Sequence, residues 1–202
     1  MKEFLLFGLG NPGGDFSHTR HNLGIDMLIK WIEYMRAQGA TVSNWKTHEK
    51  FHARVCEIVF NETTVVILDP IIFMNELGKV LHGYLRYHPL EREHMLVVYD
   101  DLELALGEIK FQASGSAHGH NGMRSVHEYM GDTNVPQLRI GIGRPADVTP
   151  IDKFVLSTFT PDEKRILDSN NLHCLYCSRN KTHSDRRIAA LNISIAAKTR
   201  LV

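Results

Sequence analysis

One histidine and one aspartate are the side chains of this sequence best suited to hydrolysis. His21 lies in a polar segment near the start of the chain, and Asp100 follows a short, nearly all-apolar run, residues 94–99. A carboxylate at the end of a buried strand can orient an imidazole and stabilise its cation while the ring takes a proton from water. The pair therefore indicates His21 as a general base and Asp100 as its support.

Three asparagines follow predicted strands and could complete such a site: Asn11, Asn75 and Asn121. A side-chain amide both donates and accepts hydrogen bonds, so a set of them can hold a peptide backbone and donate to a developing oxyanion. Singly, each is typical of a turn. Together, in loops that an α/β sheet brings to one edge, they favour a binding cleft around His21.

The sequence favours water as the attacking group. No G-x-S-x-G elbow is present, which argues against an acyl-enzyme route. His21, His118 and His120 could be considered as metal ligands, but their loops lack a matching carboxylate or cysteine, and we expect no metal. Cys174-x-x-Cys177 with His183 lacks the second pair of a zinc site.

The glycines near the start present an alternative. Gly8, Gly10 and Gly13 match the dinucleotide fingerprint G-x-G-x-x-G after an apolar run. That fingerprint needs a helix opening directly at the glycines and an acidic residue ending a second strand about 20 residues further on. Pro12 and the polar stretch 15–18 intervene instead. We therefore expect no cofactor, and the dinucleotide class rests on the glycines alone.

The apolar periodicities alternate between strand and helix. Helical spacing begins after Asn22, which can cap that helix, and Gly39 can end it. Thr160-Pro161-Asp162-Glu163 is a strong helix start, and Asn170-Asn171 then interrupts the pattern. Strands are expected at residues 4–7, 51–60, 65–68, 94–99, 108–113 and 138–143. The order predicts an α/β protein, a single domain with a twisted mixed, largely parallel sheet and helices packed around it.

Composition narrows the class of protein. The chain has 202 residues, of which 43% are apolar, enough to bury one full core. No segment reaches membrane-spanning length, and the three cysteines are too few for a disulfide framework, so we expect a cytoplasmic protein. Basic and acidic residues balance at 23 each, but residues 164–202 hold 8 of the basic and 2 of the acidic ones. Such a basic end is either a phosphate footprint or a solvated tail.

Six motifs together closely resemble the bacterial peptidyl-tRNA hydrolase family. They are Phe7-Gly8-Leu9-Gly10-Asn11-Pro12-Gly13, Thr19-Arg20-His21-Asn22, Phe73-Met74-Asn75, Tyr99-Asp100-Asp101-Leu102, Gly119-His120-Asn121-Gly122 and Leu138-Arg139-Ile140-Gly141-Ile142-Gly143. They occur in the family's order, between residue 4 and about residue 165. The resemblance implies a monomeric, metal-free enzyme with no obligate protein partner that cleaves the ester joining a peptide to the 3′ ribose of tRNA.

The resemblance also assigns roles to positions of this sequence. His21 matches the catalytic base, Asp100 its supporting carboxylate, and Asn11 an amide at the reacting carbonyl. Phe73, Met74, Asn75 and Asn121 match the peptide-binding channel, and Arg139 matches a residue that recognises a tRNA phosphate. The lysine that partners this arginine in some members falls on Gln112, so Lys110 or Arg124 is expected to replace it.

The sequence also departs from the family near Asn75 and at its C-terminal end. Leu77 and Ile72 stand where the family usually has hydroxyl residues, which removes polar groups near Asn75. Residues 1–168 form the predicted catalytic domain, whereas residues 169–202 do not follow the family's C-terminal helix. That segment is a divergent helix, a disordered tail or a basic contributor to tRNA binding. Relatives that bind RNA without hydrolysing it give a second functional class, against which the retained His21 and Asp100 argue.

Overall fold

The computed structural model describes residues 2–176, with side chains to residue 168. The described residues contain the strands β1 (Lys2–Gly8), β2 (Thr41–Val42), β3 (Lys46–His48), β4 (Ala53–Phe60), β5 (Thr63–Pro70), β6 (Met95–Asp101), β7 (Ile109–Gln112) and β8 (Gln137–Gly141). They also contain the α-helices α1 (Leu23–Ala37), α2 (Leu77–Tyr87), α3 (Asn121–Met130), α4 (Ile151–Val155) and α5 (Pro161–Tyr176). Short 3-10 turns, among them Arg20–Asn22 and Met74–Glu76, lie between them.

All eight strands form one mixed sheet in the order β2-β4-β5-β1-β6-β8-β7, with β3 also paired to β4. The four central strands, β5, β1, β6 and β8, run parallel, and the outer strands pair antiparallel. The predicted α/β fold and mixed sheet are confirmed. Parallel strands end at a common edge, so the loops that follow β1, β5 and β6 meet there.

The helices cover both faces of the sheet and divide the core in two. One core packs α1 against the sheet, with Trp31 and Leu28 at its centre. The other packs α2 and α3, with Leu77 and Val126 fully buried. Helices that follow β1 and β5 thus lie on opposite faces, which opens a crevice between the strand ends.

Gly8 on β1 and Gly24 on α1 allow the helix to cross very close to the strand ends. A Cβ on Gly24 would lie 2.2 Å from the Val98 carbonyl oxygen, and one on Gly8 would lie 2.6 Å from the Ile25 Cα. Helix α1 begins at Leu23, well after Gly8, Gly10 and Gly13, so these three glycines do not present a helix N-terminus to a phosphate. The dinucleotide interpretation therefore lacks the geometry that it needs.

Two local predictions are wrong. Asn22 occupies the cap position of α1, but its side chain makes no capping hydrogen bond. Helix α5 also does not stop at Asn170-Asn171 and continues to Tyr176. Its start is as predicted, since Thr160 N donates to Glu163 Oε2 (2.7 Å) and Glu163 N to Thr160 Oγ1 (3.3 Å).

Among the residues described, no helix has the length and apolar character needed to cross a lipid bilayer. The rest of the predicted basic segment, including Cys177 and His183 of the doubtful zinc pattern, lies outside the described residues. The division at residue 168 stays a prediction.

Candidate active site

His21 and Asp100 meet at the common edge of the parallel strands. His21 lies in the 3-10 turn that leads into α1, and Asp100 is the penultimate residue of β6. The His21 Nδ1 lies 3.0 Å from Asp100 Oδ1 and 3.2 Å from Oδ2, although 79 residues separate them in sequence. Both side chains are almost completely buried.

A second imidazole, that of His120, shares the same carboxylate. Its Nε2 lies 3.0 Å from Asp100 Oδ1, while its Nδ1 accepts a hydrogen bond from the Met123 backbone N–H at the start of α3 (3.1 Å). Because Nδ1 accepts, the ring proton must lie on Nε2, so His120 donates to Asp100. The start of α3 thereby fixes the tautomer of His120.

Electrostatics keeps this carboxylate charged. Burial alone would raise the pKa of Asp100, but His120 and His21 outweigh it and hold that pKa well below its usual range. The pKa of His120 is lowered, chiefly by burial, so His120 is a neutral donor at physiological pH. An ionised Asp100 accepts a hydrogen bond from the His21 Nδ1–H, which leaves the lone pair of His21 on Nε2. That is the form a general base needs.

His21, Asp100 and His120 form the one group of potential metal ligands within the described residues, their ligand atoms lying within 4.8 Å of one another. Their hydrogen bonding does not suit an ion. A neutral histidine that binds a metal through Nε2 carries its proton on Nδ1, but the Met123 N–H donates to that nitrogen of His120. The Nε2 of His120 therefore offers Asp100 a hydrogen-bond donor and offers an ion no lone pair.

Asn11 and Asn22 are held together by two hydrogen bonds. The Asn11 backbone N–H donates to Asn22 Oδ1 (2.8 Å), and Asn22 Nδ2 donates to the Asn11 carbonyl (2.9 Å). This pairing uses the side chain that sequence analysis expected to cap α1. It fixes the glycine-bent loop directly beside His21.

The loop after β5 is attached to Asn11. The Asn11 Oδ1 accepts a hydrogen bond from the Met74 backbone N–H (2.8 Å), so the Asn11 amide nitrogen keeps both protons for another partner. Met74 is buried below the loop, whereas Phe73 is 57% exposed and contacts Phe16 edge-on. Asn75 is exposed at the same loop. Asn11, Phe73, Met74 and Asn75 thus lie on neighbouring loops.

Asn121 is the first residue of α3, next to His120, and is exposed. It lines a cavity of about 270 Å³ together with His21, Asp100 and His118. Residues of α4 and Arg144 close the other side of the cavity. Asn121 and His21 thus line the same cavity.

Arg139 and Lys110 differ in their surroundings. Arg139 on β8 is 3% exposed, and its guanidinium donates from Nε to Asp101 and from Nη1 to Gln112. Lys110 pairs with Arg139 across β7 and β8 and is exposed. Arg124, the other candidate for the missing lysine, is exposed on α3. Of the predicted phosphate contacts, Lys110 and Arg124 are open to a partner, and Arg139 is largely enclosed.

Sequence reasoning missed the part of His120, which it considered only as a metal ligand. Its position directly before a helix start, where a side chain can accept from a backbone N–H, was the available pattern. Gln112 lies between Arg139 and His118, and no pattern in the sequence predicts that position.

The site is a buried imidazole–carboxylate pair at the strand ends of an α/β sheet, and neither serine nor cysteine lines the described cavity beside it. The family model of peptidyl-tRNA hydrolase matches residues 5–192. The chain therefore belongs to the peptidyl-tRNA hydrolase family, and it is a hydrolase.

Individual relatives agree with this assignment. The peptidyl-tRNA hydrolase of Aquifex aeolicus (strain VF5) is 37% identical over 163 residues, 81% of each chain. A crystal structure of the Acinetobacter baumannii enzyme superposes with a TM-score of 0.72 and 29% identity, covering 84% of this chain and 83% of that one. A peptidyl-tRNA hydrolase in complex with N-propanol gives 0.76 and 27%, covering 97% and 92%.

Proposed function

We propose that this protein hydrolyses the ester bond between a peptide and the 3′ ribose of tRNA, with His21 as general base. The observation that carries the proposal is the His21–Asp100 contact at the strand ends, in a chain of this family. The substrate is peptidyl-tRNA, the enzyme acts as a monomer, and its place is the cytoplasm, where peptidyl-tRNA arises.

The reaction proceeds through direct attack of water on the ester carbonyl. The His21 Nε2 takes a proton from the water as the oxygen bonds to the carbonyl carbon, and Asp100 stabilises the imidazolium that forms. The tetrahedral intermediate then breaks its bond to the ribose 3′ oxygen, which receives the proton from His21. The products are a peptide carboxylate and a tRNA with a free 3′ hydroxyl.

The asparagines hold the reacting carbonyl and the peptide. Since the Asn11 Oδ1 is occupied by the Met74 N–H, its amide nitrogen is the donor presented to the oxyanion. Asn75 and Asn121 bind the peptide backbone, and Phe73 and Met74 form the wall of its channel. Lys110 and Arg139 bind a tRNA phosphate, and Arg139 does so through its guanidinium nitrogen Nη2.

The test is release of free tRNA from an N-acetylaminoacyl-tRNA, followed on a gel in the presence of EDTA. We expect the wild-type protein to be active and His21→Ala to be slower by at least ~100-fold, the scale of a lost general base. His48→Ala, an exposed histidine on β3, is the matched control and should leave turnover unchanged. Near-normal turnover by His21→Ala would refute the mechanism, and tight tRNA binding without turnover by the wild type would identify an RNA-binding protein.

A further inference from the structure

His118 has a backbone conformation that histidine seldom adopts. It lies in the loop between β7 and α3, two residues before His120, with φ of 47°. A non-glycine residue in this left-handed region is uncommon and carries a conformational cost, and such residues concentrate at functional sites. A glycine would occupy the position without that cost, so the presence of an imidazole there requires an explanation.

A contact with Gln112 holds the imidazole of His118 in one tautomer. The Gln112 Oε1 receives a hydrogen bond from Arg139 Nη1 and lies 3.2 Å from His118 Nε2. A guanidinium can only donate, so the shared Gln112 atom is the carbonyl oxygen and His118 Nε2 must also donate to it. The lone pair of the neutral ring is therefore on Nδ1.

The Nδ1 of His118 remains available to a ligand. It has no hydrogen-bond partner within residues 2–176, and it is not among the solvent-inaccessible polar atoms. Burial, and next the charge of Arg139, lower the pKa of His118 and keep the ring neutral. His118 thus presents an acceptor, and it lines the same cavity as His21 and Asp100.

This cavity meets the peptide side of the site only at Asn121. Within the described chain its lining includes neither Asn11 nor the 72–77 loop, and it extends from His21 and Asn121 toward Arg144 and Val155. An ester has two sides, so a peptide held by the Asn11 and Met74 loops and by Asn121 leaves the part of the cavity around His118 to the ribose. The ribose group next to the scissile 3′ oxygen is the 2′ hydroxyl, a hydrogen-bond donor.

We propose that His118 is a substrate-binding residue whose Nδ1 accepts a hydrogen bond from the 2′ hydroxyl of the terminal ribose. The proposal rests on the proposed function. Gln112 and Arg139 are positioning residues in this scheme, because they set the tautomer that makes Nδ1 the acceptor.

The experiment compares two substrates with several variants. The substrates are N-acetylaminoacyl-tRNAs acylated on the 3′ oxygen and ending in adenosine or 2′-deoxyadenosine, and the readout is the ratio of their kcat/KM values. This ratio cancels any intrinsic effect of the hydroxyl on ester reactivity when it is compared between variants. We expect His118→Gly to reduce the wild-type ratio by about three- to tenfold, the worth of one neutral hydrogen bond.

Two further variants separate recognition from folding. His118→Asn places a side-chain oxygen near the position of Nδ1 and should recover part of the ratio. His52→Gly is the matched control, because His52 is another half-buried histidine with left-handed φ (54°) that lies outside the cavity, and it should keep the wild-type ratio. Glycine suits both backbones, so thermal unfolding should occur no lower than in the wild type.

The outcomes distinguish the two proposals. If the wild-type protein releases tRNA but His118→Gly leaves the substrate ratio unchanged, or slows both substrates equally, the role of His118 is overturned and the proposed function stands. If the wild-type protein releases tRNA from neither substrate, the proposed function fails and the role of His118 fails with it.

Discussion

Asp100 is the residue on which the candidate site depends most. It accepts hydrogen bonds from two imidazoles, that of His21 and that of His120, and His120 is locked as a neutral donor by the Met123 N–H. In the proposed mechanism the carboxylate must stay ionised to stabilise the His21 cation, and the lowered pKa of Asp100 meets that requirement. An uncharged side chain of the same shape would not meet that requirement.

Replacing Asp100 by asparagine tests the charge with little change of shape. We expect Asp100→Asn to lower kcat by about 100-fold with a small effect on KM, because an amide cannot stabilise the imidazolium. Asp147→Asn is the control, since Asp147 is an exposed turn residue that accepts from the Thr149 N–H. Single-turnover release of tRNA measures the effect, and a loss confined to KM would contradict it.

Lys110 and Arg139 should behave differently when each is replaced by alanine. Exposed Lys110 can be removed without structural cost, so Lys110→Ala should lower the slope of log Kd against log salt by about one phosphate contact. Arg139→Ala removes the partner of buried Asp101 and should also lower the free energy of unfolding by about 3 kcal/mol. Filter binding across a salt series and urea unfolding give both quantities. Equal salt slopes in Lys110→Ala and wild type would remove Lys110 from the interface.

At the scale of elements, the crossing of α2 and α3 supports the loop that follows β5. A Cβ on Gly78 would lie 2.1 Å from the Ser125 carbonyl oxygen, so the two helices touch at backbone level. At that point Ser125 Oγ accepts a hydrogen bond from the Gly78 N–H (3.0 Å). The start of α2 is thus capped by a hydroxyl from α3, next to the position where Leu77 lacks one.

Ser125→Ala should weaken this crossing. It leaves the buried Gly78 N–H without a partner, which costs about 1–3 kcal/mol of unfolding free energy. The same helix start carries Met74 and Asn75, so KM should rise while kcat changes little. Lys79→Ala, which removes only an exposed ion pair with Glu76, is the control and should change neither quantity. A Ser125→Ala protein with wild-type stability would show that the cap is dispensable.

The parts of the molecule that local sequence patterns determine were the predictable ones. The apolar run before Asp100, the hairpin of β4 and β5, and the Thr160–Glu163 capping box all follow from near neighbours in sequence. Asn22 could not be predicted because the preference for a helix cap competes with a partner eleven residues earlier, and the distant contact prevails. The tautomer of His120 depends on the start of α3, and Gln112 depends on the pairing of β7 with β8, so neither is visible in a linear sequence.

At the scale of the whole molecule, Arg20 connects the 3-10 turn that contains His21 to the C-terminal part of the described chain. Its Nε donates to Ser157 Oγ (3.1 Å) and its Nη2 to Glu163 Oε2 (2.8 Å), across more than 130 residues of sequence. The guanidinium also lies over the rings of Phe154 (4.3 Å) and Phe159 (4.7 Å). The residue before His21 is thus anchored to the start of α5.

Glu163→Ala should release this anchor. It removes both the ionic partner of buried Arg20 and the helix-capping carboxylate, for a loss of about 1–3 kcal/mol of unfolding free energy. Asp162→Ala is the matched control one residue away, because its pair with Arg165 is fully at the surface and contributes little. Urea unfolding of the two variants should separate them clearly. Equal midpoints would show that Arg20 needs no counter-charge.

The close approach of Gly24 to the Val98 carbonyl joins the segment that carries His21 to the strand that carries Asp100. His21 stands three residues before that glycine and Asp100 two residues after that valine, so one contact brings the base and its carboxylate together. During refolding, this contact forms only after α1 has packed on β6, which lies some seventy residues further along the chain. We therefore expect enzymatic activity to recover only when the parallel strands of the sheet have come together, so that activity reports this step of folding.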